Sequence, residues 1–339
     1  MNERAAVLAS AIACLAVACA RSSPSAPSST DGPAARGQAV SAIDGSAIPG
    51  ILVKVDAENW VTPDPRGYFP TDMQSGGEYS VLVRGDAVVE RQARVNLRPG
   101  DAAKVTLIPT SFDLTAYDEM MRSASGHLER WTTTPSLVII GSVMQFTGDY
   151  VEQYTATSES LTDDEVNEMV GHLTEGLSLW TAHTYDTFAS VTVERHAAGD
   201  RVPVYRQAQI VVGRYKDLRG LGQTIGYGTW AENTQGAVVG GTVFLDRVFD
   251  HDDPRRRLLR IHELGHACGY MHVTSRTSVM NPAIGPEPTD FDRTAAAIAF
   301  QRPVGNVAPD TDPGAAPFGQ SRSLTFGGIR WATPTERLR

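Results

Sequence analysis

His262-Glu263-Leu264-Gly265-His266-Ala267-Cys268-Gly269-Tyr270-Met271-His272 decides how this chain is read. His262 and His266 stand four apart, so on an α-helix they share one face and can bind one metal ion. Glu263 sits beside that face, placed to act as a general base. Gly269 can end the helix by taking a left-handed conformation, and the returning chain lets His272 supply a third imidazole. Three protein ligands leave the fourth position of a zinc ion to water, which separates a catalytic site from a closed structural one. The helix is expected from Pro254 to about Cys268, with Asp253 as its N-cap.

The bland alternative is that these histidines are satisfied core residues. Five fixed residues in eleven arise by chance in roughly one chain of this length in ten thousand. Three of the eight histidines fall in this window, so the metal site is preferred. Cys268 lies two positions after His266, off the ligand face, and reads as a buried thiol packing the helix. Arg255, Arg256, Arg257 and Arg260 read as a solvated helix face. His172 and His183 lack ligand spacing.

A second element follows: Ser278-Val279-Met280-Asn281-Pro282. HELGHACGYMH followed by SVMNP resembles the metzincin metallopeptidases, nearest their matrix-type minimal domains: the long zincin motif with its Met-turn. The resemblance implies an α+β catalytic domain, a twisted mixed sheet plus an active-site helix. It implies one catalytic Zn2+ held by His262, His266 and His272, with Glu263 as base and Met280 as the hydrophobic floor beneath the ion. It implies an endopeptidase acting on polypeptide substrate. It also implies that the strand before the helix, Val239–Leu245, lies at the sheet edge and pairs with extended substrate. Val273, after the third histidine, and Asn281, after the methionine, match no familiar subfamily. Structural Ca2+ is common in the clan, but no Asp-rich loop here has convincing ligand spacing. Tyr227 and Tyr270 are candidates to hold the oxyanion.

The 339 residues are enough for two domains, and 41% hydrophobic with 20% charged residues is ordinary for a globular protein. A net charge of −9 argues against a nucleic-acid partner. Residues 1–19 read as a signal peptide: Arg4, an apolar run from Ala5 to Ala18, then Cys19 after Ala16-Val17-Ala18. This looks like a bacterial lipoprotein cleavage site with Cys19 lipidated, which implies an extracytoplasmic protein anchored to a membrane. Ordinary cleavage near Ala18 or Ala20 would instead release it as a secreted protein. With Cys14 removed and Cys19 acylated, Cys268 alone remains, so no intrachain disulfide is available. Residues 20–33 read as a Ser/Pro-rich tether.

Residues 34–109 alternate apolar runs with turns at close to ten-residue spacing, as in a β-sandwich. Ile48-Pro49-Gly50-Ile51, Asp64-Pro65-Arg66-Gly67-Tyr68-Phe69 and Gly77-Glu78-Tyr79 are similar to the carboxypeptidase regulatory-like sandwich. Residues 110–305 are the expected metallopeptidase domain. Leu137–Ile140, Val191–Val193, Ala208–Val212 and Val238–Asp246 read as strands. Gly226–Trp230 reads as a loop. Thr162 and Glu165 form a capping box, with Leu161 and Val166 as a hydrophobic staple, for a helix ending near Trp180. Phe291–Phe300 reads as a short helix, and 306–339 as a flexible tail. The rival functional class is a non-catalytic surface binding lipoprotein on a protease-like scaffold. Retention of all three histidines and Glu263 argues against it. The sequence does not fix an oligomeric state.

Overall fold

A computed structural model describes residues 35–71, 76–142, 145–147, 160–195, 197, 200–203, 205–215, 224–315, 330–332 and 335–337. The expected signal segment with Cys19 and the 20–33 tether lie outside the described residues. The architecture is α+β, with mixed sheets and few helices. Among the described residues no helix is long and apolar enough to cross a membrane.

Six strands come first: β1 (Arg36–Ser41), β2 (Leu52–Val55), β3 (Tyr68–Pro70), β4 (Gly77–Arg84), β5 (Arg91–Leu97) and β6 (Ala102–Leu107). They form two three-stranded sheets, β3-β1-β6 and β2-β4-β5. Alternate residues such as Val53 and Val55, Val81 and Val83 are buried, which is the period-2 signature of a half-buried strand. Together with Phe69, Leu97 and Leu107 they make a core separate from that of the rest of the chain.

The second part runs α1 (Leu114–Met121), β7 (Arg130–Trp131), β8 (Ser136–Ile140), β9 (Gln145–Thr147), α2 (Asp163–Trp180), β10 (Val191–Glu194), β11 (Arg201–Pro203), β12 (Gln209–Tyr215), β13 (Thr224–Glu232) and β14 (Ala237–Asp246). There follow α3 (Arg247–Asp252), α4 (Arg256–Ala267), α5 (Asp290–Phe300), β15 (Arg330–Ala332) and β16 (Thr335–Arg337). The main sheet has the order β10-β8-β12-β14-β13. The first four strands are parallel and β13 is antiparallel. All seven residues of β12 except the first are buried, as expected of a strand covered on both faces.

Two expectations are corrected here. Val239–Leu245 lies within β14, which pairs with β12 on one side and β13 on the other, so it is interior and not an edge. The reason is the hairpin: β13 precedes β14 but folds back outside it through a turn in which Asn233 Oδ1 accepts from the amides of Gln235 and Ala237. Gly226–Trp230, read as a loop from its glycines, is the middle of β13. The far side of β13 pairs antiparallel with β15 at Trp230–Glu232 and with β16 at Thr224 and Tyr227.

Helix α2 carries the expected capping box: Thr162 Oγ1 accepts from the Glu165 amide, and the Glu165 carboxylate accepts from the Thr162 amide. Val166, Met169, Leu173, Leu177 and Trp180 are buried against α4, and Gly176 lets Leu264 and Ile261 approach its backbone. Asp253 does not cap α4. It ends α3 and turns the chain by accepting from the Arg255 amide at 2.8 Å and from the Arg255 guanidinium. Nor is the arginine face of α4 wholly solvated. Arg260 is fully buried and forks onto Asp250, which also receives Arg214.

Residues 306–315, placed in the tail by composition, are packed. Asn306 and Asp310 are fully buried and Asp312 nearly so. Arg91 of β5 donates to Asp310 at 3.0 Å and forks onto Asp312 at 2.6 and 2.8 Å. Arg302 forks onto Asp310 at 2.7 and 2.8 Å. This buried charge network ties β5 to the segment after α5.

Candidate metal centre

The site is built on the C-terminal half of α4 and the turn that follows. Tyr270 N–H donates to the Gly265 carbonyl and Gly269 N–H to the His266 carbonyl, the paired bonds of a Schellman ending. Gly269 has φ +103°, a conformation a side chain would resist. The turn delivers His272 to the other two histidines. Ring centroids of His262 and His266 are 4.8 Å apart, those of His266 and His272 4.8 Å, and those of His262 and His272 5.5 Å. One nitrogen from each ring lies within 4.8 Å of the others, so the trio could hold a metal ion.

The protonation of two rings follows from their partners. His262 Nδ1 faces the Val279 carbonyl at 2.6 Å and His266 Nδ1 faces the Tyr270 carbonyl at 2.5 Å. Carbonyl oxygens only accept, so each Nδ1 donates and each Nε2 is left as a lone-pair donor. Those two Nε2 atoms stand 3.1 Å apart. Two lone pairs at that distance repel unless a cation or a proton lies between them. A tetrahedral zinc with bonds of about 2.0–2.1 Å spaces its ligands roughly 3.3–3.4 Å apart, so the donor set fits such an ion.

Met280, expected to form the floor beneath an ion, packs against α4 at Gly265. It is fully buried, and its Sδ would stand 2.7 Å from a Cβ at Gly265, between the two helical histidines. Its turn is held from α5: Asp292 accepts from Ser278 Oγ at 2.5 Å and from the Val279 amide at 3.2 Å. Asn281 closes it by donating to the carbonyls of Val273 and Arg276. The polar residues flanking Met280 therefore orient the Val279 carbonyl that receives His262.

Above α4 lies β13. A Cβ at Gly226 would fall 1.9 Å from Glu263 Oε1, and one at Gly228 would fall 2.4 Å from His266 Cβ. These two glycines let the strand backbone run directly over Glu263 and His266, and sequence reading had missed them. His262, Glu263 and His266 are fully buried, while His272 is partly exposed.

Neither tyrosine candidate for an oxyanion donor is well placed. Tyr270 is buried with its hydroxyl donating to the Trp180 carbonyl at 2.6 Å. Tyr227 alternates with Gly226 and Gly228, so it stands on the face of β13 away from α4. Cys268 is buried, and burial pushes its thiol well above the usual range, which suits a packing role. No protein-family model matches the chain, and a search of curated proteins finds no match.

Proposed function

We propose that this chain is a metzincin-like zinc endopeptidase acting outside the cytoplasm, anchored by a lipid on Cys19 or released after ordinary signal cleavage. The observation that carries the reading is the pair of Nε2 atoms of His262 and His266 facing each other at 3.1 Å, with the third imidazole beside them and Glu263 alongside.

His262, His266 and His272 would hold the ion. Zinc, when bound, supplies Lewis acidity that polarises a peptide carbonyl and makes a water acidic enough to ionise near neutral pH. The chain supplies the rest. The Val279 and Tyr270 carbonyls fix the ring orientations and make the histidines better donors. Glu263 takes the proton from the attacking water on a carboxylate oxygen and passes it to the departing amine. Its burial between α4 and β13 keeps bulk water from competing for that proton. Extended polypeptide would add beside β13, the antiparallel strand that overlies Glu263, and not beside β14 as the resemblance implied. The chain's own β15 and β16 pair on that side.

Full burial of His262, Glu263 and His266 also favours a second reading, a non-catalytic surface binding lipoprotein on a protease-like scaffold. Turnover separates the two. Casein cleavage by the purified chain is expected to vanish on treatment with a strong chelator and return with added zinc. Cleavage that survives full metal removal would overturn the zinc reading, and no cleavage by the zinc-loaded protein would favour the scaffold.

A further inference from the structure

We propose that His127, Glu129 and Glu232 form a second binding site for a divalent cation of the zinc class, distinct from His262, His266 and His272. The three residues have only 5, 1 and 5% of their surface exposed. His127 Nε2 lies 3.3 Å from Glu232 Oε2 and 3.8 Å from Glu129 Oε1, and one ligand atom from each residue lies within 4.8 Å of the others. One imidazole and two carboxylates are a nitrogen and oxygen donor set suited to zinc and its first-row neighbours.

The surroundings have the features of a built ligand shell. Glu129 Oε2 accepts from the Trp230 indole N–H, which turns its other oxygen toward His127. His127 and Glu129 are alternate residues of one extended segment, so they share a face. That segment is held by Leu128, whose amide donates to the Asn306 carbonyl and whose carbonyl accepts from the Gly305 amide. Gly236 has φ +85° and leaves the imidazole its space, since a Cβ there would stand 3.1 Å from Cδ2. Glu232 closes β13, the strand that overlies Glu263. The Glu129 carbonyl lies against Gly269, where a Cβ would meet it at 3.1 Å. An ion here would pin the β13–β14 hairpin to the segment that backs the turn carrying His272. Its role is structural because the site is closed off from solvent and its ligands come from two parts of the chain, which the ion would hold together.

The test is zinc content per chain, by mass spectrometry of the metal, after loading the full protein with zinc and removing excess. The double variant His262→Ala/His266→Ala, with the second trio intact, is expected to retain one zinc, and adding Glu232→Gln or His127→Ala to it should remove that zinc. In the otherwise unaltered protein, Glu232→Gln should lower the content by one and reduce the zinc-dependent part of the thermal stability. If the zinc reading of His262, His266 and His272 alone fails, the unaltered protein holds one zinc that Glu232→Gln removes. If this inference fails, the unaltered protein holds at most one zinc that Glu232→Gln leaves in place, and the double variant holds none. Should His127→Ala and Glu232→Gln fail to fold, the double variant decides alone: one zinc bound supports the site and none overturns it.

Discussion

Gly226 lies so close to Glu263 that a Cβ at position 226 would stand 1.9 Å from the Glu263 carboxylate oxygen Oε1. The space that Glu263 occupies is thus set by a residue 37 positions earlier, on a strand crossing above the helix. Gly226→Ala is expected to displace the carboxylate and to lower kcat/KM for casein by about a hundredfold, as misplacement of a catalytic group by about 1 Å does. Zinc content should be unchanged, because no ligand is touched. Gly228→Ala meets His266 Cβ and the Glu263 carbonyl, which cannot swing aside. It should lower both thermal stability and zinc content. Equal effects of the two variants on zinc content would contradict this distinction.

Arg91 is a buried guanidinium shared between Asp310 and Asp312. Removing one member of a buried ion pair leaves uncompensated charge and costs about 3–5 kcal/mol. Arg91→Ala should lose stability of that order in urea unfolding, and a chain beginning at residue 110 should fold poorly for the same reason. A loss within about 1 kcal/mol, the range of surface pairs, would show that the network is not what joins the β1–β6 segment to the rest.

The reach of sequence reading follows the distance over which each feature is determined. His262, His266, Gly269 and His272 were legible because helix periodicity and one turn place them within eleven residues. The Thr162–Glu165 box was legible for the same reason. The interior position of β14 was not, because a hairpin that folds back outside its neighbour leaves no mark on either strand. Gly226 and Gly228 looked like loop glycines, since their use is a close approach to a helix far along the chain. His127, Glu129 and Glu232 span more than a hundred residues and meet only in the folded chain.

Glu165 provides a pH test away from the metal centre. Burial works to raise its carboxyl, but the Arg214 guanidinium at 2.6 Å and the Thr162 donors overcome that and hold it at about 2. An unfolded glutamate titrates near 4.3, so its stabilising effect is fully present above about pH 4.3 and is lost as pH falls toward 2. Glu165→Gln should be less stable than the unaltered protein at pH 7, with the gap closing between about pH 4.3 and 2. A gap constant down to pH 2 in urea unfolding would contradict this.

β15 and β16 pair with the side of β13 at which substrate would add. If that pairing favours a closed arrangement by about 1.4 kcal/mol, it suppresses activity about tenfold. Deleting residues 316–339 should therefore raise kcat/KM for casein on the order of tenfold. An unchanged or lowered value, in a truncated protein with the zinc content of the full chain, would show that the C-terminal strands do not compete with substrate.

The most direct test of the central claim is Glu263→Gln measured beside the unaltered protein, with zinc content and casein cleavage determined on the same samples. General acid–base catalysis contributes about 10²–10⁴-fold. The account predicts unchanged zinc content with cleavage reduced by that factor. Cleavage at the unaltered rate in a zinc-loaded Glu263→Gln protein would contradict it.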